Sequence, residues 1–146
     1  MPRSIFNFSW PFRVRYSEID AQKIVFNAHY LTYFDTAITE YFRSLPYNSM
    51  EAVEVLGEDF HTVRTVVEYI KPIEFDEKIE VLVRVSRMGR SSITFQLEIH
   101  SLEEEDLRAT GEVIWVNTNQ ETHLSSPIAE ELVEKLLSRE GPTIKQ

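Results

Sequence analysis

Alternation of apolar and polar residues dominates the second half of the chain. The repeat covers four stretches, roughly residues 61–69, 79–86, 93–100 and 109–117. A period of two places successive side chains on opposite faces, so each stretch predicts a strand with one apolar face. The earlier stretch 12–17 has the same period, with Phe12, Val14 and Tyr16 directed inward, and predicts a fifth strand.

A helical period replaces this alternation between residues 28 and 44. The apolar residues at helical spacing are Tyr30, Phe34, Ala37, Ile38, Tyr41, Phe42 and Leu45. Leu31 and Tyr33 widen the apolar face, so we expect a long and deeply buried helix. Asn27 is a favoured type of residue at a helix N-cap, and Pro46 marks the end of the helix.

Two further segments predict less extensive structure. Residues 47–59 are polar and acidic, and they predict a loop with at most one helical turn. Near the C-terminus, Ser126 as the N-cap and Pro127 at the first helical position predict a short amphipathic helix that ends near Arg139. The helix at 28–44 is therefore the only one with a large apolar surface.

The connections between the later strands are short, and this decides the topology. Arg87–Arg90 predicts a hairpin, and Glu103–Asp106 predicts a solvated turn. Strands joined in this way are antiparallel, and a sheet with one apolar face needs a cover. We therefore expect an α+β architecture in which the sheet wraps the helix at 28–44, in one domain that spans residues 1–146.

Composition narrows the functional classes. The chain has 146 residues and no cysteine, which excludes disulfides, thiolate metal sites and a cysteine nucleophile. Its net charge of −9 argues against nucleic acid as a partner. We expect a cytoplasmic protein without a membrane span, because no apolar run is long enough and the N-terminus does not resemble a signal peptide. His61, His100 and His123 lack the spacing of metal ligands, so no metal site is expected.

One stretch combines groups that suit acyl transfer. Asp20 lies in a predicted loop, and the start of the helix follows seven residues later, at Asn27. A helix start offers unpaired N–H groups and a positive dipole end, which can bind a carbonyl oxygen as it becomes an oxyanion. A nearby carboxylate can activate water or attack the carbonyl carbon. Acidic residues in loops before helices are common, so this pattern alone indicates only a candidate site.

The residues around this site also form a recognisable signature. They are Tyr16, Glu18, Asp20, Ala21, Ile24-Val25-Phe26 and Tyr30-Leu31-x-x-Phe34. Later matches are Pro72-Ile73-x-Phe75-Asp76-Glu77, Gly89-Arg90-Ser91-Ser92-Ile93-x-Phe95 and Ala109-Thr110-Gly111-Glu112-Val113. Together they resemble the 4-hydroxybenzoyl-CoA thioesterase family over about residues 10–130. The resemblance implies a hot-dog fold, with an antiparallel sheet of about five strands around a long central helix, and acyl-CoA thioesterase activity without a cofactor.

The same resemblance implies roles for individual residues. Asp20 falls on the family's catalytic aspartate, which acts as nucleophile or general base. The start of the central helix, beside the thioester carbonyl, corresponds to Asn27, Ala28, His29 and Tyr30. The hairpin that approaches the CoA moiety corresponds to Gly89, Arg90, Ser91 and Ser92, with Arg87 immediately before it.

Three positions depart from the family pattern and keep other functions open. Lys23 stands where glycine is usual, Asn27 where His or Pro is frequent, and His29 where Asn is frequent. One alternative is a non-catalytic acyl-CoA-binding hot-dog protein, which Lys23 supports best. Another is a hydratase that acts on a double bond through Asp20 and His29. Glu18 is interpreted as a solvated or structural acid.

Basic residues gather in one hairpin of this acidic chain. Arg84, Arg87 and Arg90 could protect a solvated strand edge from aggregation, or they could bind CoA phosphates through charge-assisted hydrogen bonds. The outer faces of the predicted strands also carry apolar residues, such as Leu82 and Ile114. We therefore expect a homodimer or homotetramer, in which Asp20 of one subunit faces the Gly89–Ser92 hairpin of another.

Overall fold

The computed structural model describes residues 3–144, without the side chains of residues 49 and 143. Its five strands are β1 (Ser9–Arg13), β2 (Glu58–Tyr69), β3 (Lys78–Met88), β4 (Ser92–Ser101) and β5 (Leu107–Asn119). Its helices are α1 (His29–Ser44), α2 (Ser49–Leu56) and α3 (Glu130–Glu140). All neighbouring strands are antiparallel, in the order β1-β3-β4-β5-β2. The expected α+β hot-dog architecture is confirmed.

The core lies between α1 and the inner face of the sheet. Phe34, Ala37, Ile38 and Tyr41 are fully buried along one side of α1, as its helical period predicted. Each large side chain buried in this way contributes about 1.5–3 kcal/mol to folding. The helix packs tightly on the sheet at Gly111 of β5, where an added Cβ would lie only 2.3 Å from the ring of Phe34. Only glycine leaves room for this contact.

The two edges of the sheet differ in how far other elements cover them. β1 pairs only with the first half of β3, up to Leu82. The second half is covered by α3, and the carboxylate of Glu140 accepts a hydrogen bond from the Val85 N–H group at 3.0 Å. At the opposite edge, the twelve residues of β2 carry no fully buried side chain, and Val63 is exposed beside a bulge. β2 thus presents a long, uncovered edge.

The prediction of a strand over residues 12–17 was wrong in its position. β1 ends at Arg13, and Tyr16, expected to point inward, is 78% exposed in a 3-10 turn at Tyr16–Glu18. The turn forms because the Glu18 carboxylate accepts hydrogen bonds from the Arg15 N–H group and the Tyr33 hydroxyl. One of these bonds is local and the other reaches α1, and together they replace strand pairing at residues 15–18.

Helix boundaries differ from the predictions in three places. The N-cap of α1 is Ala28 without a side-chain cap, not Asn27. Residues 49–56 form two turns of helix, because Asn48 caps the N-terminus of α2 and Gly57 adopts the left-handed conformation after its end. α3 begins at Glu130, because the segment around Ile128 is held extended by its N–H bond to the Arg90 carbonyl.

Candidate active site

Asp20 lies in a loop that hydrogen bonds close at both ends. Its N–H group donates to the Ile24 carbonyl at 2.9 Å, and Ile19 pairs with Val25 in an isolated bridge. The Phe26 N–H group donates to the Glu18 carbonyl, also at 2.9 Å, immediately before α1 begins. These bonds bring Phe26 back beside Glu18, so Asp20 lies in a closed turn next to the start of the helix.

The segment before β3 anchors this loop from outside. The Val25 N–H group donates to the Ile73 carbonyl at 2.8 Å, and the Phe75 N–H group donates to the Lys23 carbonyl at 3.0 Å. Lys23 itself has a φ of 64°, in the left-handed region that favours glycine. The loop therefore keeps the turn that a glycine would make, and the Lys23 side chain is exposed to solvent.

The carboxylate of Asp20 is partly exposed and forms few interactions within the fold. It accepts one hydrogen bond, from the Gln22 N–H group at 2.8 Å. Within residues 3–144 it forms no ion pair, and His29 makes no hydrogen bond to it. A carboxylate that is fixed in place but has free acceptor positions can accept a proton from water or attack an electrophile.

Glu18, two residues earlier, has a structural role, as interpreted from the sequence. It is buried, and its oxygens accept hydrogen bonds from the Arg15 guanidinium and the Tyr33 hydroxyl. Burial opposes its charge, but these hydrogen bonds hold the pKa of Glu18 below its usual range. Glu18 is thus an ionised anchor for the start of the loop, joined to the middle of α1.

The start of α1 contains N–H groups with and without partners. The His29 N–H group donates to Phe26 at 2.9 Å, and the Tyr30 N–H group donates to Asn27 at 3.3 Å. The N–H groups of Asn27 and Ala28 have no hydrogen-bond acceptor within residues 3–144. These two exposed residues therefore offer the available donors, rather than the first residues of the helix itself.

Tyr30 and His29 point in different directions. The Tyr30 ring is buried and lies 4.7 Å from the Tyr69 ring, and burial raises the pKa of Tyr30 to about 12. The Tyr69 hydroxyl in turn donates to the Asn27 carbonyl at 3.1 Å. His29 is partly exposed and packs against the Phe26 ring. Tyr30 and Tyr69 thus hold the turn before α1 in place against the end of β2.

The Gly89–Ser92 hairpin lies at the other end of the protomer. It is closed by a bond from the Gly89 N–H group to the Ser92 carbonyl at 2.9 Å. The eleven residues of β3 separate it from the segment that anchors the Asp20 loop. At about 3.3 Å per residue this separation is about 33 Å. A single protomer therefore does not bring Asp20 and the hairpin together.

Arg87 and Arg90 stand out among the basic residues. Seven others form ion pairs with acidic side chains: Arg3, Arg13, Arg15, Arg43, Arg64, Lys71 and Arg108. Arg84 is buried and donates to Gln96, so it does not join the hairpin cluster. Arg87 and Arg90 are exposed and form no ion pair within the described part of the chain. They are available to an anionic ligand.

Two features of this part of the molecule were not predicted from the sequence. Exposed aromatic residues surround the Asp20 loop, among them Tyr16 and Phe75, whose rings lie 5.8 Å apart. A cavity also lies beside α2, a helix that the polar composition of residues 47–59 concealed. Within residues 3–144 no helix is long and apolar enough to cross a membrane. No three acidic or histidine side chains of that range are grouped to hold a metal ion.

Known proteins share this architecture. The acyl-CoA thioester hydrolase YbgC of Escherichia coli is 30% identical over 96 residues, 66% of this chain and 71% of that protein. A hypothetical protein of Aquifex aeolicus superimposes with a TM-score of 0.80 at 26% identity, over 88% of this chain and 98% of its own. The 1,4-dihydroxy-2-naphthoyl-CoA thioesterase of Synechocystis shares the fold at 14% identity, with a TM-score of 0.84 over 92% and 98% of the two chains. Residues 14–136 match a family model, and the chain belongs to the thioesterase-like superfamily.

Proposed function

We propose that this protein is an acyl-CoA thioesterase that uses Asp20 to hydrolyse the thioester bond. The observation that carries the proposal is the Asp20 carboxylate, which is fixed by its loop and accepts only one hydrogen bond, from Gln22. The unpartnered N–H groups of Asn27 and Ala28 lie where the same loop meets α1. A base or nucleophile and a pair of oxyanion donors are the two components that acyl transfer needs.

The chemistry follows from these two components. As a general base, Asp20 accepts a proton from water while the water oxygen adds to the thioester carbonyl carbon. The N–H groups of Asn27 and Ala28 stabilise the negative charge that develops on the carbonyl oxygen. The carbon–sulfur bond then breaks, and the proton passes to the thiolate, which leaves a carboxylic acid and free CoA. As a nucleophile, the Asp20 carboxylate would instead attack the carbonyl carbon and expel the CoA thiolate as the carbon–sulfur bond breaks. The resulting acyl anhydride is then hydrolysed by water to the carboxylic acid and free Asp20.

Relatives support this reaction class. The E. coli relative carries the name acyl-CoA thioester hydrolase, and the class agrees with the thioester hydrolase expected from the sequence. Lys23 favours catalysis over the non-catalytic alternative, because its backbone already has the conformation of the glycine that is usual there. The motif from Tyr16 to Phe34 leads us to assign the protein to the 4-hydroxybenzoyl-CoA thioesterase branch.

We further propose that the site is completed by a second copy of the chain. The uncovered edge of β2 can pair with the same edge of another protomer, and a two-fold axis makes this pairing antiparallel. Tyr69 at one end of β2 contacts the start of α1, and Glu58 at the other end bonds Asn117 beside the hairpin. An antiparallel pair therefore places the Asp20 end of one protomer next to the hairpin end of the other. The product is a homodimer, which can associate further into a tetramer.

The hairpin then binds the nucleotide part of CoA. Arg87 and Arg90 would pair with its phosphates, and the backbone of Gly89 together with the Ser91 and Ser92 hydroxyls would approach the same groups. Both arginines are exposed and free of ion pairs in a chain of net charge −9. Lys23 and Lys78 are also exposed and form no ion pair within residues 3–144, but neither belongs to the hairpin.

Asp20→Asn tests the catalytic role directly. The amide keeps the shape of the side chain but is neither a base nor a nucleophile, so kcat should fall by about 10²–10⁴-fold with little change in ligand affinity. The assay measures release of free thiol from a panel of acyl-CoAs. Glu134→Gln is the matched control, because Glu134 is exposed on α3, which packs against β3 on the side of the sheet away from β2. An Asp20→Asn variant with most of the wild-type kcat would disprove the assignment of Asp20.

A further inference from the structure

Cavities border α2 on both of its sides. One of about 420 Å³ lies between α2, the C-terminal half of α1 and the start of β2, and we call it the α2 cleft. A second cavity, of about 380 Å³, lies between α2 and the residues that lead into α3. Tyr47 and Asn48 line both. Both are open to solvent, so a ligand can enter them from the surface.

The floor of the α2 cleft is aromatic. The rings of Phe42 and Trp115 are stacked, with centroids 5.5 Å apart and planes 6° from parallel. Phe60 lies 5.6 Å from Trp115 and extends the same surface. The charged residues that line the cleft, Arg43 and Asp59, are exposed and therefore lie at its rim, and Arg43 is paired with Glu40. The floor suits an uncharged, apolar group.

α2 covers this space loosely. Met50, which lines the cleft, is 79% exposed, and Val55 on the same helix is 74% exposed. None of the side chains of residues 50–56 is buried. A short helix with exposed apolar residues and cavities on both sides gains little from packing, and it can move at a small cost in free energy. It can therefore adjust to an apolar ligand placed beneath it.

The position of the cleft connects it to the thioester site. Phe60, part of the floor of the cleft, belongs to β2, the strand whose free edge is the proposed dimer contact. The cleft lies at the end of the protomer that carries the hairpin, since β2 is joined there to Asn117, whose N–H group donates to the Ser91 carbonyl at 2.7 Å. In the antiparallel dimer, this end lies next to the Asp20 loop of the second copy.

We infer that the α2 cleft receives the acyl group of the thioester bound at Asp20 of the second subunit, an inference that rests on the proposed function. The preferred substrates are therefore acyl-CoAs with an apolar acyl group much larger than acetyl. A volume of about 420 Å³ lies within the usual range of small-molecule pockets, and most of its lining side chains are apolar or aromatic, as in such pockets. The anionic part of CoA stays with the arginines of the hairpin.

Binding can be measured without turnover through Trp115. The chain has two tryptophans, so in Trp10→Phe/Asp20→Asn the emission reports Trp115 alone. Decanoyl-CoA or benzoyl-CoA should change this emission and bind at least about tenfold more tightly than acetyl-CoA, a difference of about 1.4 kcal/mol. If neither large acyl group changes the emission, or if both bind no more tightly than acetyl-CoA, the cleft is not the acyl site.

Kinetics of cleft variants separate this inference from the proposed function. Phe60→Ala, and the milder Phe60→Leu if the first variant folds poorly, should lower kcat/KM for the preferred large acyl-CoA about tenfold more than kcat/KM for acetyl-CoA. Leu124→Ala, an exposed apolar residue outside the cleft, is the control. If the wild type hydrolyses no acyl-CoA, the proposed function fails. If it hydrolyses them but Phe60→Leu and Phe60→Ala affect all acyl groups equally, only the cleft inference fails.

Discussion

Lys23 shows how a single residue can depart from a pattern without changing the local structure. Its φ of 64° puts an L-residue in a region that costs about 1–2 kcal/mol. The carbonyl of Lys23 is fixed by Phe75, and its N–H group donates to the Asp20 carbonyl at 2.9 Å, so the surrounding bonds impose the conformation. Strain of this kind persists where neighbouring structure determines it, often at functional sites.

Lys23→Gly should therefore be tolerated. Glycine relieves the left-handed strain but loses more conformational entropy on folding, so the net change in the free energy of unfolding should be a gain of up to about 1 kcal/mol. Thermal or urea unfolding measures it, together with kcat for an acyl-CoA. Ala21→Gly is the control. Ala21 lies in the same turn but has no positive φ, so glycine there should lower the free energy of unfolding by about 0.5–1 kcal/mol. A loss of stability or of most of kcat in Lys23→Gly would show that the ammonium group itself is needed.

Glu140 links three elements at the free half of β3. Its carboxylate accepts hydrogen bonds from the Tyr41 hydroxyl of α1 at 2.5 Å and from the Val85 N–H group of β3 at 3.0 Å. The residue is almost completely buried, and burial raises its pKa above the usual value for glutamate. A helix end thus closes a strand edge that β1 is too short to cover.

This arrangement predicts a pH dependence of stability. A glutamate whose pKa is raised in the folded state contributes stability that is present at low pH and is lost as the pH rises through the folded-state pKa. Glu140→Gln keeps the acceptor oxygen and cannot ionise. The unfolding free energy of wild type minus that of Glu140→Gln should thus fall with increasing pH, by at most about 1.4 kcal/mol per pH unit for one proton. Urea unfolding between pH 5 and pH 8 measures the difference, and Glu134→Gln on the exposed side of α3 should show no such trend.

The elements differ in how well the sequence predicts them. β3, β4 and α1 were predicted closely because their apolar periods are long and their inner faces are fully buried, as Ile79 and Phe34 illustrate. The 3-10 turn at Tyr16–Glu18 was missed because it depends on the contact between Glu18 and Tyr33, fifteen residues apart. α2 was predicted as no more than a single turn, because none of its described side chains is buried and no apolar face marks its length. Apolar periodicity reflects which side chains are buried. It does not reveal elements whose formation depends on tertiary hydrogen bonds or on helix caps.

At the scale of the whole molecule, the two predicted parts of the candidate site lie at opposite ends of a protomer. Motif and chemistry located Asp20 in the sequence, and the fold places it beside the start of α1 as expected. The distance between Asp20 and the hairpin could not be predicted from the sequence. In the structure, the length of β3 places them at opposite ends of a protomer. Exposed aromatic residues such as Tyr16, Phe75 and Tyr69 surround the Asp20 end, and exposed apolar surface of this kind is typical of a contact with another subunit.

The proposed shared site can be tested with mixed dimers. Asp20→Asn would remove the proposed base, and Arg87→Ala/Arg90→Ala would remove the proposed phosphate contacts, so each homodimer should be weakly active at substrate concentrations below KM. Refolding the two variants together should restore about a quarter of the wild-type activity, because half of the dimers are mixed and one of their two sites is intact. Light scattering checks that the chains form dimers rather than the 17.1 kDa monomer. If each protomer held a complete site, the mixture would only average the two parents, because the Asp20 and hairpin of every site would then come from the same defective chain.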